Sequence, residues 1–141
     1  MAMVAYALLA AGPAEARQWQ VKMLNKGSNG QPMAFEPAFI AISPGDTVKF
    51  IATTKGHNAE SIAGMTPAGA VPFKGKINEE IEVRFAKPGL YGYKCLPHAA
   101  MGMVGLVHVG TAPSKVAVTA QTAKLPSLSK KVMTGLLAKV R

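Results

Sequence analysis

Gly89-Leu-Tyr-Gly-Tyr-Lys-Cys95-Leu-Pro-His98-Ala-Ala-Met-Gly-Met103-Val-Gly-Leu-Val-His-Val109 reads as a strand, a loop and a second strand. Residues 89–94 and 103–109 are rich in aromatic and β-branched side chains, and Pro and Gly punctuate the stretch between them. The same pattern recurs upstream, at residues 18–24, 38–42, 46–53 and 79–85. Between these runs lie Asn25-Lys-Gly-Ser-Asn-Gly30, Ser43-Pro-Gly-Asp46 and Ala86-Lys-Pro-Gly89. In the last two, Pro presets φ and Gly supplies the positive φ of a type II turn. Short strands at such spacing predict two sheets packed as a mainly β sandwich.

Beyond Pro113 the chain changes character: it has no Phe, Tyr or Trp and is built from Ala, Leu and Lys. Residues 114–123 predict one helix, ended by Lys124-Leu125-Pro126. Ser127 is placed as the cap of a second helix, with Leu128, Val132, Leu136 and Val140 along one face. Gly135 weakens that helix by about 1 kcal/mol relative to Ala, so it needs a sheet to pack against. The division expected is a sandwich over residues 17–112 and a helical extension over residues 113–141.

At the other end, residues 1–9 are apolar but too short to span a bilayer, and Ala14-Glu15-Ala16 has the small-x-small form of a cleavage site. Residues 1–16 therefore read as an export signal, although the usual basic start is missing. A buried strand or a fused tag is the plainer alternative. No other segment is long and apolar enough to cross a membrane, which points to an exported, soluble product.

The 141 residues make one domain, with 49% hydrophobic and 16% charged side chains, a globular balance. Sixteen Lys and Arg against seven Asp and Glu leave a net charge of +9, which calls for an acidic partner. Nucleic acid would satisfy that arithmetic, but no RNP motif, helix-turn-helix pattern or aromatic–basic stacking array is present. A single Cys excludes an intramolecular disulfide and any multi-cysteine zinc or iron–sulfur site. Three His exclude a chain that supplies two histidine-rich metal centres.

The chemistry concentrates in Cys95-x2-His98-x4-Met103, with His57 upstream in Lys55-Gly-His-Asn58. Taken singly, Cys95 is an ordinary buried core residue, His98 a solvated loop histidine, and Met101 and Met103 core filler. Together, one thiolate, two imidazoles and a thioether suit a copper ion that cycles between Cu(I) and Cu(II). A free Cys is unusual in an oxidising compartment, and metal ligation accounts for it.

These residues resemble the type I copper proteins called cupredoxins. Supporting stretches are Phe35-Glu-Pro-Ala-Phe39, Pro44-Gly-Asp-Thr-Val-Lys-Phe50 and Gly56-His-Asn-Ala-Glu-Ser-Ile62. The resemblance runs from about Trp19 to Arg141 and extends to the branch of the family that carries two C-terminal helices. It implies a Greek-key cupredoxin sandwich holding one copper ion, with His57, Cys95, His98 and Met103 as ligands. By the same matching, Asn58 ties the His57 loop to the Cys95 loop, and Met33 lies beside the exposed His98 imidazole. Met101 belongs to the apolar surroundings. The sequence departs from the family pattern at Leu96, where Thr is usual, and at Pro32, which lengthens the loop before Met33. His108 occupies a strand position where the family has a small apolar residue, and it reads as structural.

What the resemblance implies is a periplasmic, monomeric electron carrier rather than an enzyme. Its partners would be acidic-faced redox proteins, a nitrite reductase of denitrification or cytochromes, with no nucleic acid and no membrane insertion. Electrons would pass through the His98 edge, amid an apolar patch with Met33, Pro72, Pro97, Ala99 and Met101. Lys26, Lys55, Lys74, Lys76 and Lys94 would steer the encounter. Copper storage or delivery without a redox partner is the alternative, but such sites usually gather several Cys or Met. A copper enzyme would need a second centre, and only His108 is left to build one.

Overall fold

The computed structural model describes residues 15–111 and 113–141; the export-signal reading of residues 1–16 falls almost wholly outside them. Two four-stranded sheets face each other, one ordered β2-β1-β4-β6 and the other β3-β8-β7-β5. The first joins β1 (Gln18–Lys26), β2 (Pro32–Glu36), β4 (Thr47–Ile51) and β6 (Ile81–Arg84). The second joins β3 (Phe39–Ile42), β5 (Glu60–Ser61), β7 (Gly89–Lys94) and β8 (Val104–Val109). The β1–β4 and β3–β8 pairs are parallel and the others antiparallel.

Period-two alternation drives the packing. Val21 and Met23 of β1 and Val48 and Phe50 of β4 turn inward, against Tyr91 and Tyr93 of β7 and Val107 and Val109 of β8. Every residue of β8 is buried, because its other face, Val104 and Leu106, is covered by the helices. His108 is buried on that strand, its ring 6.5 Å from Phe39, a structural position as expected. The turn over Ser43–Asp46 is the type II turn predicted: Asp46 N–H donates to the Ser43 carbonyl at 3.0 Å and Gly45 has φ 94°.

Four expectations need correction. Two strands were not foreseen, and both lie at sheet edges. β2 opens with Pro32, which has no N–H for a ladder and is tolerated there because an edge leaves that side unpaired. β5 is two residues long and carries no apolar alternation. Residues 86–89 make no hydrogen-bonded turn, although Gly89, at φ 139°, does open β7 where the sequence placed that strand.

The helices are α1 (Val116–Thr122) and α2 (Ser127–Leu137). Ser127 is the first helical residue and caps nothing, since the cap position is Pro126, whose fixed φ leads the chain into the first turn. The buried face of α2 is also rotated from the predicted one. Ser129, Met133, Leu136 and Leu137 face inward with Val140 just beyond, whereas Leu128 is 54% exposed. Met133 makes the difference: it is completely buried, worth about 2 kcal/mol of transfer free energy. Gly135 lies on the open side, where an added Cβ would meet nothing.

Candidate metal centre

Three segments converge at one end of the sandwich. The chain leaving β7 enters Cys95 and a 3-10 helix (Leu96–Met101), then returns through Gly102 and Met103 into β8. This loop is closed by its own backbone: Cys95 N–H donates to the Met103 carbonyl at 3.0 Å, and Met103 N–H to the His98 carbonyl at 3.2 Å. Gly102, at φ 94°, makes the reversal that a residue with a side chain would resist. His57 arrives from the loop after β4, and Asn25 from the end of β1.

The reactive atoms gather closely. The Nδ1 atoms of His57 and His98 are 3.2 Å apart, and Cys95 Sγ lies 3.8 Å from the first and 3.5 Å from the second. All three groups offer a ligand atom within 4.8 Å of one another. Met103 is fully buried in the same core cluster as Cys95. Cys95 and His57 are likewise buried, and His98 is half-exposed.

Hydrogen bonds around the cluster fix its orientation. Asn25 Oδ1, an acceptor only, lies 2.8 Å from His57 Nε2, so Nε2 carries the proton and Nδ1 keeps its lone pair for the cluster. Asn58 does what the resemblance implied: its Oδ1 accepts from Leu96 N–H at 2.7 Å. Its Nδ2 donates to the Gly75 carbonyl at 3.0 Å and to Glu60 at 3.1 Å. Burial holds the His57 imidazole below its ordinary range, and the neighbouring His98 adds to that. Burial also pushes the Cys95 thiol up, against the opposing pull of the Asn58 and His98 backbone N–H groups. Two imidazoles and a sulfur with lone pairs turned toward a common point form a donor set that a soft or borderline cation satisfies.

Three supports were not legible in the sequence. Asn25 read only as a turn residue, because its partner is 32 positions away. Ser129, on α2, donates its hydroxyl proton to the Ala99 carbonyl inside the ligand-bearing loop. Gln31 Nε2 reaches the Gly102 carbonyl at 3.2 Å from the other side. Removing the Asn25 carboxamide by Asn25→Ala frees the His57 ring to rotate and change tautomer. Copper affinity should fall by about 10- to 100-fold with the circular dichroism unchanged, as measured by competition with a chromophoric chelator.

Sandwich, loop and donor set together define a mononuclear copper-binding protein. Residues 21–110 match the family described as copper binding proteins of the plastocyanin/azurin family. Over 141 aligned residues the chain is 49% identical to pseudoazurin of Paracoccus pantotrophus, covering 99% of this chain and 96% of that one. It superposes on the crystal structure of pseudoazurin from Methylobacterium extorquens AM1 with a TM-score of 0.82 at 42% identity, covering 88% and 99% of the two chains. The structure of native pseudoazurin from Hyphomicrobium denitrificans gives 0.79 at 42% identity, covering 88% and 98%. The chain belongs to the plastocyanin/azurin family of copper-binding proteins and, within it, to the pseudoazurins.

Proposed function

We propose that His57, Cys95, His98 and Met103 hold one copper ion, and that the protein carries single electrons between redox partners after export to the periplasm. The observation that carries this reading is the convergence of two imidazole Nδ1 atoms and one thiol within 4.8 Å. Copper bound by such a set supplies a one-electron Cu(I)/Cu(II) couple. The residues of this chain supply the rest. Asn25, Asn58 and the backbone bonds of the loop keep the donors in place, so a change of charge meets little rearrangement. Buried Met103 and Phe35 keep water from the inner side of the cluster.

His98 is the route outward, being the half-exposed member of the set. Leu96, at 53% exposure, and Met101, at 42%, stand on the same loop and supply apolar contact. Lys26, Lys55, Lys74 and Lys76 are exposed, and each lies within two residues of a group already placed at the centre. Such a rim would steer a monomeric carrier onto an acidic-faced acceptor, a nitrite reductase or a cytochrome, while a small interface permits rapid release.

The test is titration of the purified protein with Cu(II), followed by voltammetry and stopped-flow reduction of an acidic acceptor. One equivalent should generate an intense blue band and a reversible one-electron couple. The bimolecular rate should fall about tenfold from low to physiological salt. A Cu(II) form too unstable to observe would favour copper delivery instead. A rate indifferent to salt would remove the lysines from the mechanism.

A further inference from the structure

At the end of the sandwich remote from the ligand-bearing loop, Asp46 is 4% exposed and accepts three hydrogen bonds. Its Oδ1 takes the backbone N–H of Arg17 at 2.9 Å, and its Oδ2 takes Trp19 Nε1 at 3.0 Å and Ser43 N–H at 3.1 Å. The backbone N–H of Arg17 and the Trp19 indole, in that order, hold its carboxyl below the usual range, so it is ionised. Arg17 itself is anchored, its carbonyl accepting from Thr47 N–H at 2.9 Å, and both Ala16 and Arg17 are exposed. One nitrogen of an accessible segment is thus fixed against a buried carboxylate, one residue beyond the small-x-small sequence Ala14-Glu15-Ala16.

We propose that Asp46 is the receptor for the amino terminus of the processed chain, so that cleavage between Ala16 and Arg17 locks the fold by an ion pair absent from the precursor. The proposal rests on the reading of residues 1–16 as a removable leader. Hydrolysis of the Ala16–Arg17 peptide bond consumes one water, leaving a carboxylate on Ala16 and an ammonium group on Arg17. That ammonium is the same nitrogen that already contacts Asp46, and an ionised donor on an ionised acceptor makes a stronger bond than an amide does. Cleavage also removes Glu15, a like charge lining the same cavity as Asp46. The other charged groups facing this cavity are the Arg17 guanidinium and Arg84 of β6; the turn over residues 43–45 and the end of β3 bring no titratable side chain.

The sign of the pH dependence follows. An α-ammonium group ordinarily titrates near about 8, and pairing with Asp46 raises it in the folded state. The extra stability is complete below about pH 8 and is lost as pH rises through the raised value.

Among the described residues every strand and helix lies within residues 17–141, so a chain beginning at Arg17 retains all the described elements. Urea unfolding of copper-loaded protein at pH 7 and pH 10 should compare the full chain, the chain starting at Arg17, and that chain with Gly-Gly placed before Arg17. At pH 7 the chain starting at Arg17 should have an unfolding constant about tenfold smaller than the Gly-Gly form. By pH 10 the gap should close. Asp46→Asn should erase the gap at both pH values. Equal stabilities at pH 7, or a gap that persists unchanged to pH 10, overturn the proposal. The intact mass of the exported protein separates the two readings. A mature chain starting elsewhere overturns the leader reading and the proposal with it, whereas one starting at Arg17 without a pH-dependent gap overturns the proposal alone.

Discussion

Replacing Cys95 by serine should abolish the blue band entirely at one equivalent of Cu(II). The intense visible absorption of such a centre arises from charge transfer between a thiolate and copper, and no second thiol exists in the chain to replace it. The remaining imidazoles of His57 and His98 stay 3.2 Å apart at Nδ1 and would give a pale, weakly bound Cu(II) with ordinary EPR splitting. Serine is close in volume and Cys95 Sγ sits in a wall built by Asn58 and the loop backbone, so the fold should persist. Visible absorption and EPR beside circular dichroism decide the matter. A blue spectrum in the Cys95→Ser protein would remove Cys95 from the ligand set.

Gly105→Ala should lower stability by about 3 kcal/mol, or roughly 10 °C in thermal midpoint. Gly105 stands opposite Tyr93 across the β7–β8 ladder, and a Cβ at this position would intrude on the Tyr93 ring. The ring cannot yield. It is completely buried, with Phe35 at 4.7 Å and Phe50 at 5.1 Å in edge-on contact. Its hydroxyl has no hydrogen-bond partner among the described residues, so size and not polarity is what the strand accommodates. Combining Gly105→Ala with Tyr93→Leu should recover much of the loss, which calorimetry on the single and double variants would measure. Equal loss in both would place the cost in the backbone instead.

The clustered side chains were legible because their chemistry is local. Cys95, His98 and Met103 share one loop, and a thiol, an imidazole and a thioether at that spacing have few other uses. The strands around them were legible for a similar reason, since apolar alternation writes burial directly into β1, β4 and β8. What escaped was set by contacts distant in sequence. β2 and β5 exist because β1 and β7 offer them an edge, not because Pro32 or Glu60 prefers extended structure. The face of α2 was misread because the row through Leu128 and Val132 was followed rather than the one through Met133. Ser129 adds nothing to a hydropathy pattern, yet Met133 and Ser129 are both completely buried. Asn25 carried no mark at all of its hold on His57.

The brace that α2 gives the ligand-bearing loop has a consequence for how this protein can be altered. Ser129 grips the Ala99 carbonyl, and a Cβ on Gly102 would come within 3.3 Å of Val132, so helix and loop share one surface. Val140, just beyond α2, is buried with Met133 and Leu136 in the cluster that packs against β8. Changes that loosen α2 or remove Val140 therefore reach the metal centre through the helix, and their cost would be read in colour and redox potential before it is read in yield. Variation that never touches a ligand can accumulate along α2 and still retune the centre, which makes this helix the natural place to search for potential-shifting changes.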